Sequence, residues 1–571
     1  MTNQKSANWI TVAQWLLGIL AVVLVVALVA VIAMGGRTML PTDDQTVTPT
    51  GAPTSTEQPN PGPPTKTGPV DPNADGLPGV PSKAISEHVM WPNEENQNAD
   101  RQLGYDGNGS ASVQLGDGLS QDLQGYWNQE IKWRDCGNDR CGTVQVPLDW
   151  EKPGDGSLEI AFRWVGDLNA PKGPVFVNPG GPGYGGQSFA ERVAGLWEGY
   201  AYVGWDPRGT GDSTAVKCGD TQQTDAVFST DSSPDDETEK KQLLETWQGF
   251  AKQCRDESGA LLDHLTTIEN VRDLDLLRYL LGSEKLNYFG VSYGTYVGAM
   301  YAELFPERVG RMVLDSAVDI TDDEDVAQAE GFELALRNYA EWCAKALTCD
   351  FGDTPEKVLE KISAFVKGLD QAPIVVNQSR NLTQGLAITG IALYLYFDEG
   401  YYPDLTQTLQ QAMEGDGEML LAASDDLNGR TRPNGYETAA YAFPATLCAD
   451  WADSGVADAY KRWQELQAKS PIFATNMGVD LVCQAWTANS APPIKITADG
   501  AAPILVVGST GDSATPYKHA QTMAEQLDSG VLLTYDGAGH GSVTNGNPCV
   551  TKIVTAYMVD GEVPESGQTC K

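Results

Sequence analysis

The chain predicts an α/β fold: a mostly parallel sheet covered by helices on both faces and interrupted by a long helical insertion. Three observations predict it. Between about residues 141 and 315, short apolar runs alternate with stretches of helical period, as in strands joined by crossover helices. The strand signal then vanishes over 316–496 and returns at 503–508 and 531–535. Finally, a buried-strand pattern at 285–289 runs through Gly290-Val291-Ser292-Tyr293-Gly294 into a small-residue segment that reads as a helix.

Taken in order, residues 1–40 hold an uninterrupted, uncharged apolar run of nineteen residues, 16–34, about the length that crosses a bilayer. Lys5 precedes it. The expectation is an uncleaved transmembrane anchor with the bulk of the chain outside, although Ala33-Met34-Gly35 also keeps a cleaved export signal open. Residues 41–125 form a Pro/Thr/Gly-rich stalk followed by a polar lead of no clear period. Such composition buries too little apolar surface to offset its ordering entropy. The folded part is expected from 126. Residues 141–148 and 158–164 alternate as strands around the turn Lys152-Pro153-Gly154-Asp155-Gly156, and 174–178 and 201–205 are short buried strands. Residues 274–281 are helical in period, and 311–315 close the first part of the core, 126–315, as a further strand. Over 316–496 the segments are helical and aromatic, and Thr354-Pro355-Glu356 is a helix start with proline in its first turn. Inserted in an α/β sheet, this stretch is expected to be a lid over the carboxyl ends of the strands. The remaining core is 497–571.

Charge and cysteines narrow the function. The formal balance is 38 − 77 = −39, with acids spread along the whole length, which argues against nucleic acid as a partner. The ten cysteines form near pairs, 136/141, 218/254, 343/349, 448/483 and 549/570, without C-x-x-C and without histidine at zinc spacing. An even number behind an export-like segment points to five disulfides in an oxidising compartment, whose connectivity is open.

The chemistry centres on Ser292. In G-x-S-x-G a serine held on a sharp strand-to-helix turn projects its hydroxyl clear of the sheet. Side chains at Gly290 and Gly294 would collide with the neighbouring strand and helix. Serine needs a positioned base. Of the four histidines, His88, His264, His519 and His540, only His540 lies in a glycine-flanked loop directly after a strand, Asp536-Gly537-Ala538-Gly539-His540-Gly541-Ser542. Asp512 follows another buried strand, and the order Ser292, Asp512, His540 is that of an α/β-hydrolase triad. Asp315 is the rival acid. The turn Gly180-Gly181-Pro182-Gly183 is placed to give the second oxyanion donor, so the donors expected are the N–H groups of Gly181 and Tyr293. The glycine turn lacks phosphate-loop and dinucleotide patterns, so no cofactor and no metal are expected.

Together, Asn178-Pro179-Gly180-Gly181-Pro182-Gly183, Trp205-Asp206-Pro207-Arg208-Gly209-Thr210-Gly211-Asp212-Ser213, the Ser292 elbow and the Asp512 and His540 segments resemble the tripeptidyl aminopeptidase-like branch of α/β-hydrolase serine peptidases, related to prolyl aminopeptidases. The resemblance runs from about 126 to the C-terminus. It departs where Asn178 and Pro179 precede the glycines, a place prolyl aminopeptidases fill with histidine. It implies release of short peptides from free amino termini, hence a lid carboxylate for the substrate ammonium group, for which Asp450, Asp398 and Glu399 are candidates. Arg208 and Asp212 read as structural, tying the loop after Trp205 beneath the site. The same triad also serves an esterase or acyltransferase, and a hydrolase fold without activity would be a binding module.

Overall fold

The computed structural model describes residues 121–321, 327–431, 434–451, 455–486 and 494–571. The apolar run 16–34 and His88 lie outside them. Among the described residues no helix is long and apolar enough to cross a membrane.

The chain enters through α1 (Gln121–Trp127) and a hairpin of β1 (Lys132–Cys136) and β2 (Asp139–Pro147), then β3 (Ser157–Val165), β4 (Pro174–Asn178), α2 (Gln187–Val193) and β5 (Ala201–Trp205). Helices α3 (Thr221–Phe228), α4 (Glu237–Ser258) and α5 (Thr267–Leu280) lead to β6 (Leu286–Val291), α6 (Tyr293–Leu304) and β7 (Val309–Asp315). The insertion carries α7 (Gln328–Cys343), α8 (Pro355–Gln371), α9 (Gln384–Leu395), α10 (Tyr402–Met413), α11 (Glu418–Leu427), α12 (Ala439–Asp450), α13 (Val456–Lys469), α14 (Phe473–Met477) and α15 (Val482–Ala485). Then follow β8 (Ile504–Gly511), α16 (Tyr517–Gln526), β9 (Gly530–Ala538), α17 (Pro548–Thr555) and β10 (Gln568–Cys570).

The strands form one ten-stranded sheet, ordered β1-β2-β3-β5-β4-β6-β7-β8-β9-β10. β1, β2, β3 and β5 pair antiparallel; from β5 to β10 every pairing is parallel. Both faces are covered, and the sequence shows why. In β8, Ile504 and Val506 enter one core cluster while Leu505 and Val507 enter the opposite one. Tyr288 and Phe289, and Met312 and Val313, divide the same way. The strand order reverses at β4, between β5 and β6, so the crevice outside the carboxyl ends of β4 and β6 is the fold's natural binding place.

The insertion has its own core, in which Leu336, Tyr339, Ile362, Ile391, Leu405 and Phe473 pack together. Helix α8 buries Val358, Ile362, Val366 and Leu369, one stripe at helical spacing, and the Thr354 hydroxyl accepts from Lys357 N–H at its start. Contrary to the purely helical expectation, two small antiparallel ladders lie here, Ile374–Val375 with Asn381–Leu382 and Arg430–Thr431 with Gly435–Tyr436. Two-residue strands carry no readable period.

The five disulfides join neighbours: Cys136–Cys141, Cys218–Cys254, Cys343–Cys349, Cys448–Cys483 and Cys549–Cys570. Such a set persists in an oxidising, extracytoplasmic compartment.

Arg208 ties the loop after β5 to the core. Its guanidinium donates to Asp273 through Nε (2.7 Å) and Nη2 (2.8 Å), and to the carbonyls of Leu148, His264 and Pro147. Both partners are fully buried. Asp212 plays a smaller part: its N–H donates to the Asp206 carboxylate, and its own carboxylate accepts from Gln187. Removing one member of a buried pair leaves the other charged and unpaired, so Asp273→Ala is expected to cost about 3–5 kcal/mol. Urea unfolding checks this, and a loss below about 1 kcal/mol would mean that solvent reaches Arg208.

Candidate active site

Ser292 joins β6 to α6 at φ +58°, ψ −130°, a strained conformation for a residue with a side chain. The strain is over-determined by its surroundings. The Ser292 N–H donates to the Asp315 carbonyl (3.0 Å), and its carbonyl accepts from the Thr295 N–H (2.8 Å). A Cβ on Gly290 would strike the Gly294 carbonyl, and one on Gly294 would lie 2.7 Å from the Asn178 carbonyl of β4. Only glycine at both positions lets helix, turn and strand approach this closely.

At the end of β4 the Asn178 side chain accepts from the Gly180 N–H (2.8 Å), which is what the asparagine does where prolyl aminopeptidases carry histidine. A Cβ on Gly180 would lie 2.9 Å from both Ser292 Cβ and Tyr293 N, so the glycine turn lies directly against the elbow. Tyr293 is the first residue of α6, and its N–H therefore has no intrahelical partner.

His540 and Asp512 are brought together by the loops after β9 and β8. His540 Nδ1 lies 2.9 Å from Asp512 Oδ1, which also accepts from the N–H groups of Ala514 (3.0 Å) and Thr515 (2.9 Å). The Thr515 hydroxyl is 3.3 Å from the same ring nitrogen. From the insertion, the Tyr396 carbonyl accepts the His540 N–H (2.9 Å), and its ring meets the imidazole edge-on at 5.3 Å. Thr515 lay within reach of sequence reading, three residues past Asp512; nothing in the sequence signalled Tyr396.

The rival acid, Asp315, has other work. Its carboxylate accepts from the N–H groups of Ser542 (3.1 Å) and Val543 (2.8 Å), and the hydroxyl of the next residue, Ser316, accepts from Gly541 N–H (2.8 Å). It thus holds the backbone of the histidine loop, whereas Asp512 holds the ring. Burial disfavours a charged imidazole, but the nearby Asp512 and Asp315 carboxylates outweigh it and raise the His540 pKa. Burial pushes the Asp315 carboxyl up to about 7, against the two N–H donors and His540.

The other two histidines among the described residues have other surroundings: His264 pairs with Glu269 (3.0 Å), and His519 is buried in α16. Asp149, His264 and Glu269 bring donor atoms within 4.8 Å of one another. Arg208 Nη1, 3.5 Å from Glu269, already supplies positive charge there.

The candidate amine readers divide. Both oxygens of Asp450 are occupied: Oδ1 accepts from Thr267 N–H (2.7 Å), and Oδ2 from the hydroxyls of Thr267 (2.6 Å) and Tyr293 (2.9 Å). Asp398 and Glu399 are exposed, with Asp398 capping a short turn through Gly400 N–H (2.9 Å). Beside them a cavity of about 290 Å³ is lined by Leu393, Phe397, Tyr401, Met419, Ala423 and Asp426.

The family model described as "TAP-like protein" matches residues 470–570, the stretch that contributes Asp512 and His540. Serine protease Hip1 of Mycobacterium tuberculosis is 33% identical over 489 residues, 77% of this chain and 91% of that protein. The chain belongs to the tripeptidyl aminopeptidase-like branch of the α/β-hydrolase serine peptidases. Tripeptidyl aminopeptidase of Streptomyces lividans is 31% identical over 475 residues (77% of this chain, 86% of that one). Carboxylesterase B of M. tuberculosis is 33% identical over 457 residues (76% and 86%). The protein is therefore a serine peptidase-like hydrolase.

The Asp315 carboxyl makes a pH prediction. An acid whose pKa is higher in the folded state holds its proton more tightly there. Its contribution to stability is complete below its ordinary value of 3.8 and is lost as pH rises through about 7. Asp315→Asn removes that slope, so between about pH 4 and pH 7 the wild-type chain is expected to lose stability relative to the variant. Urea midpoints across that range measure it; parallel curves would mean that Asp315 does not titrate there.

Proposed function

We propose that the protein is an exported aminopeptidase that releases short peptides, tripeptides in the first instance, from free amino termini through Ser292, His540 and Asp512. The observation that carries this reading is the Asp512–His540 hydrogen bond of 2.9 Å at the same sheet edge as the strained serine elbow. With Nδ1 engaged by Asp512, Nε2 is the ring nitrogen left for the serine. Ser292 Oγ attacks the peptide carbonyl carbon and its proton passes to His540 Nε2. The resulting oxyanion takes hydrogen bonds from the N–H groups of Gly181 and Tyr293. The C–N bond then breaks as the histidine returns the proton to the leaving amine. Water, deprotonated by the same histidine, releases the acyl group.

In this reading residues 126–315 and 497–571 are the catalytic core and 316–496 the lid. The segment 1–40 serves as anchor or export signal, and the Pro/Thr/Gly-rich stretch after it as a spacer. The cavity beside Phe397 and Tyr401, with Asp426 on its wall, suits the apolar and amine-bearing end of a peptide. A second reading, a carboxylesterase with the same triad, is favoured by the relative named carboxylesterase B. The partners are peptides with a free amino terminus, and the net charge of −39 argues against nucleic acid.

Steady-state kinetics on a tripeptidyl anilide test the triad. Ser292→Ala abolishes turnover and fluorophosphonate labelling, and Asp512→Asn lowers kcat by roughly 10⁴-fold. Asp315→Asn does far less, because it leaves the imidazole's own acceptor in place. Comparing free and N-acetylated tripeptidyl anilides then separates the two readings. Equal rates, together with faster turnover of a short p-nitrophenyl ester, would discard the aminopeptidase assignment.

A further inference from the structure

One helix of the insertion, α12, is not merely a cover. Its backbone lies against the oxyanion turn, since a Cβ on Gly183 would sit 2.7 Å from Phe443 N and 3.3 Å from Ala439 Cα. Ahead of the helix, the Thr438 hydroxyl accepts from Gly211 N–H (2.7 Å), fixing that end to the loop after β5. At the other end, Asp450 accepts from the Tyr293 phenol and from the N–H and hydroxyl of Thr267 at the start of α5, which brings the two hydroxyl oxygens into contact. Trp451 packs its ring on Tyr296 at 5.3 Å and edge-on to Tyr293 at 6.5 Å. One turn before Asp450, Thr446 shares the lining of a space with Gly180, Pro182, Gly183 and Tyr293. That space is only about 10 Å³, water-sized rather than substrate-sized.

The two backbone segments that frame the oxyanion hole therefore lean on one helix, and that helix belongs to the insertion rather than to the hydrolase core. We infer that α12 is a fixed clamp that sets the spacing of the two oxyanion donors, and that Asp450 is a positioning residue acting through the Tyr293 phenol. The phenol of the residue that carries one donor is pinned by a charged acceptor, so the first turn of α6 cannot rotate without breaking a hydrogen bond inside the protein. A carboxylate suits this task better than a neutral acceptor, because hydrogen bonds to an ionised group are shorter and stronger. Both Asp450 oxygens already accept hydrogen bonds inside the protein, so reading a substrate amine would mean sharing or displacing them. The inference rests on the serine-hydrolase reading of Ser292.

The test uses the full chain and four variants: Tyr293→Phe, Asp450→Asn, the double variant, and Ser292→Ala as the control for the underlying reading. The probes are a free tripeptidyl anilide, a p-nitrophenyl ester and a tripeptide aldehyde, whose hemiacetal oxygen occupies the hole. Tyr293→Phe and Asp450→Asn are each expected to lower kcat by about 10- to 100-fold on both substrates, with KM unchanged. Aldehyde affinity falls by the same factor, and the double variant is no worse than the poorer single, because the two residues act as one unit. If Asp450→Asn does not fold, Tyr293→Phe, which removes one oxygen and leaves Asp450 on Thr267, carries the test alone. Wild-type kcat and aldehyde affinity in a folded Tyr293→Phe variant would overturn the proposal. So would a rise in KM confined to the free-amine substrate in Asp450→Asn, which would make Asp450 an amine reader. Activity surviving in Ser292→Ala would instead overturn the serine-hydrolase reading beneath it.

Discussion

The active corner is assembled on the end of β7. The serine elbow follows β6 and the histidine loop follows β9, with β7 and β8 between them in the sheet. Asp315 and Ser316 bridge that gap. The Asp315 carbonyl takes the Ser292 N–H, its carboxylate takes two N–H groups of the histidine loop, and the Ser316 hydroxyl takes a third. A loop written Gly-His-Gly-Ser has no ladder or helix of its own to satisfy these donors, and an unpaired buried N–H is costly. A buried carboxylate solves the pairing problem, at the expense of a pKa pushed to about 7.

The insertion takes part in the same construction. It reaches the histidine through the Tyr396 carbonyl, and the glycine turn after β4 through α12. Most of its interior is a cluster of its own, organised around Leu336, Ile362, Leu386 and Leu405, while Ala442, Ala445 and Ala449 of α12 pack into the core of the sheet. The disulfide Cys448–Cys483 joins α12 to α15 within the insertion, so the clamp does not rely on side-chain packing alone. The part of the chain that a sheet-based description would treat as accessory thus borders both ends of the chemistry.

How much of this could be read beforehand depends on the range of the interactions involved. The strands β4, β5, β6, β7 and β8 were legible because burial on both faces leaves an apolar run, β9 through the short run Val531-Leu532-Leu533, and glycines at 290 and 294 because the turn tolerates nothing else. The edge strands β1 and β10 and the two-residue ladders escaped. Asn178 was noticed only as a departure, though its side chain builds the turn it precedes. Asp512 stood ahead of Asp315 on chain order alone, since both are acids at the ends of adjacent buried strands, β8 and β7, which pair Val507 with Asp315. What separates them is which N–H groups and which ring arrive from β9, some 200 residues away from Asp315 in sequence. Asp450 stood in the sequence only as a candidate reader of the substrate amine, and its partners, Thr267 and Tyr293, lie far upstream.

The sequence by itself determined the layered sheet and nominated Ser292 as nucleophile and His540 as its base, with Asp512 ahead of Asp315 as the acid, because these are written in local terms: burial period, glycine tolerance and chain order. Only the tertiary structure decided which aspartate holds the imidazole and which holds the backbone, and which helix of the insertion stands behind the oxyanion turn. Those roles follow from hydrogen bonds between residues remote along the chain. Nothing in a residue's immediate neighbours records who will meet its oxygen atoms once the chain has closed.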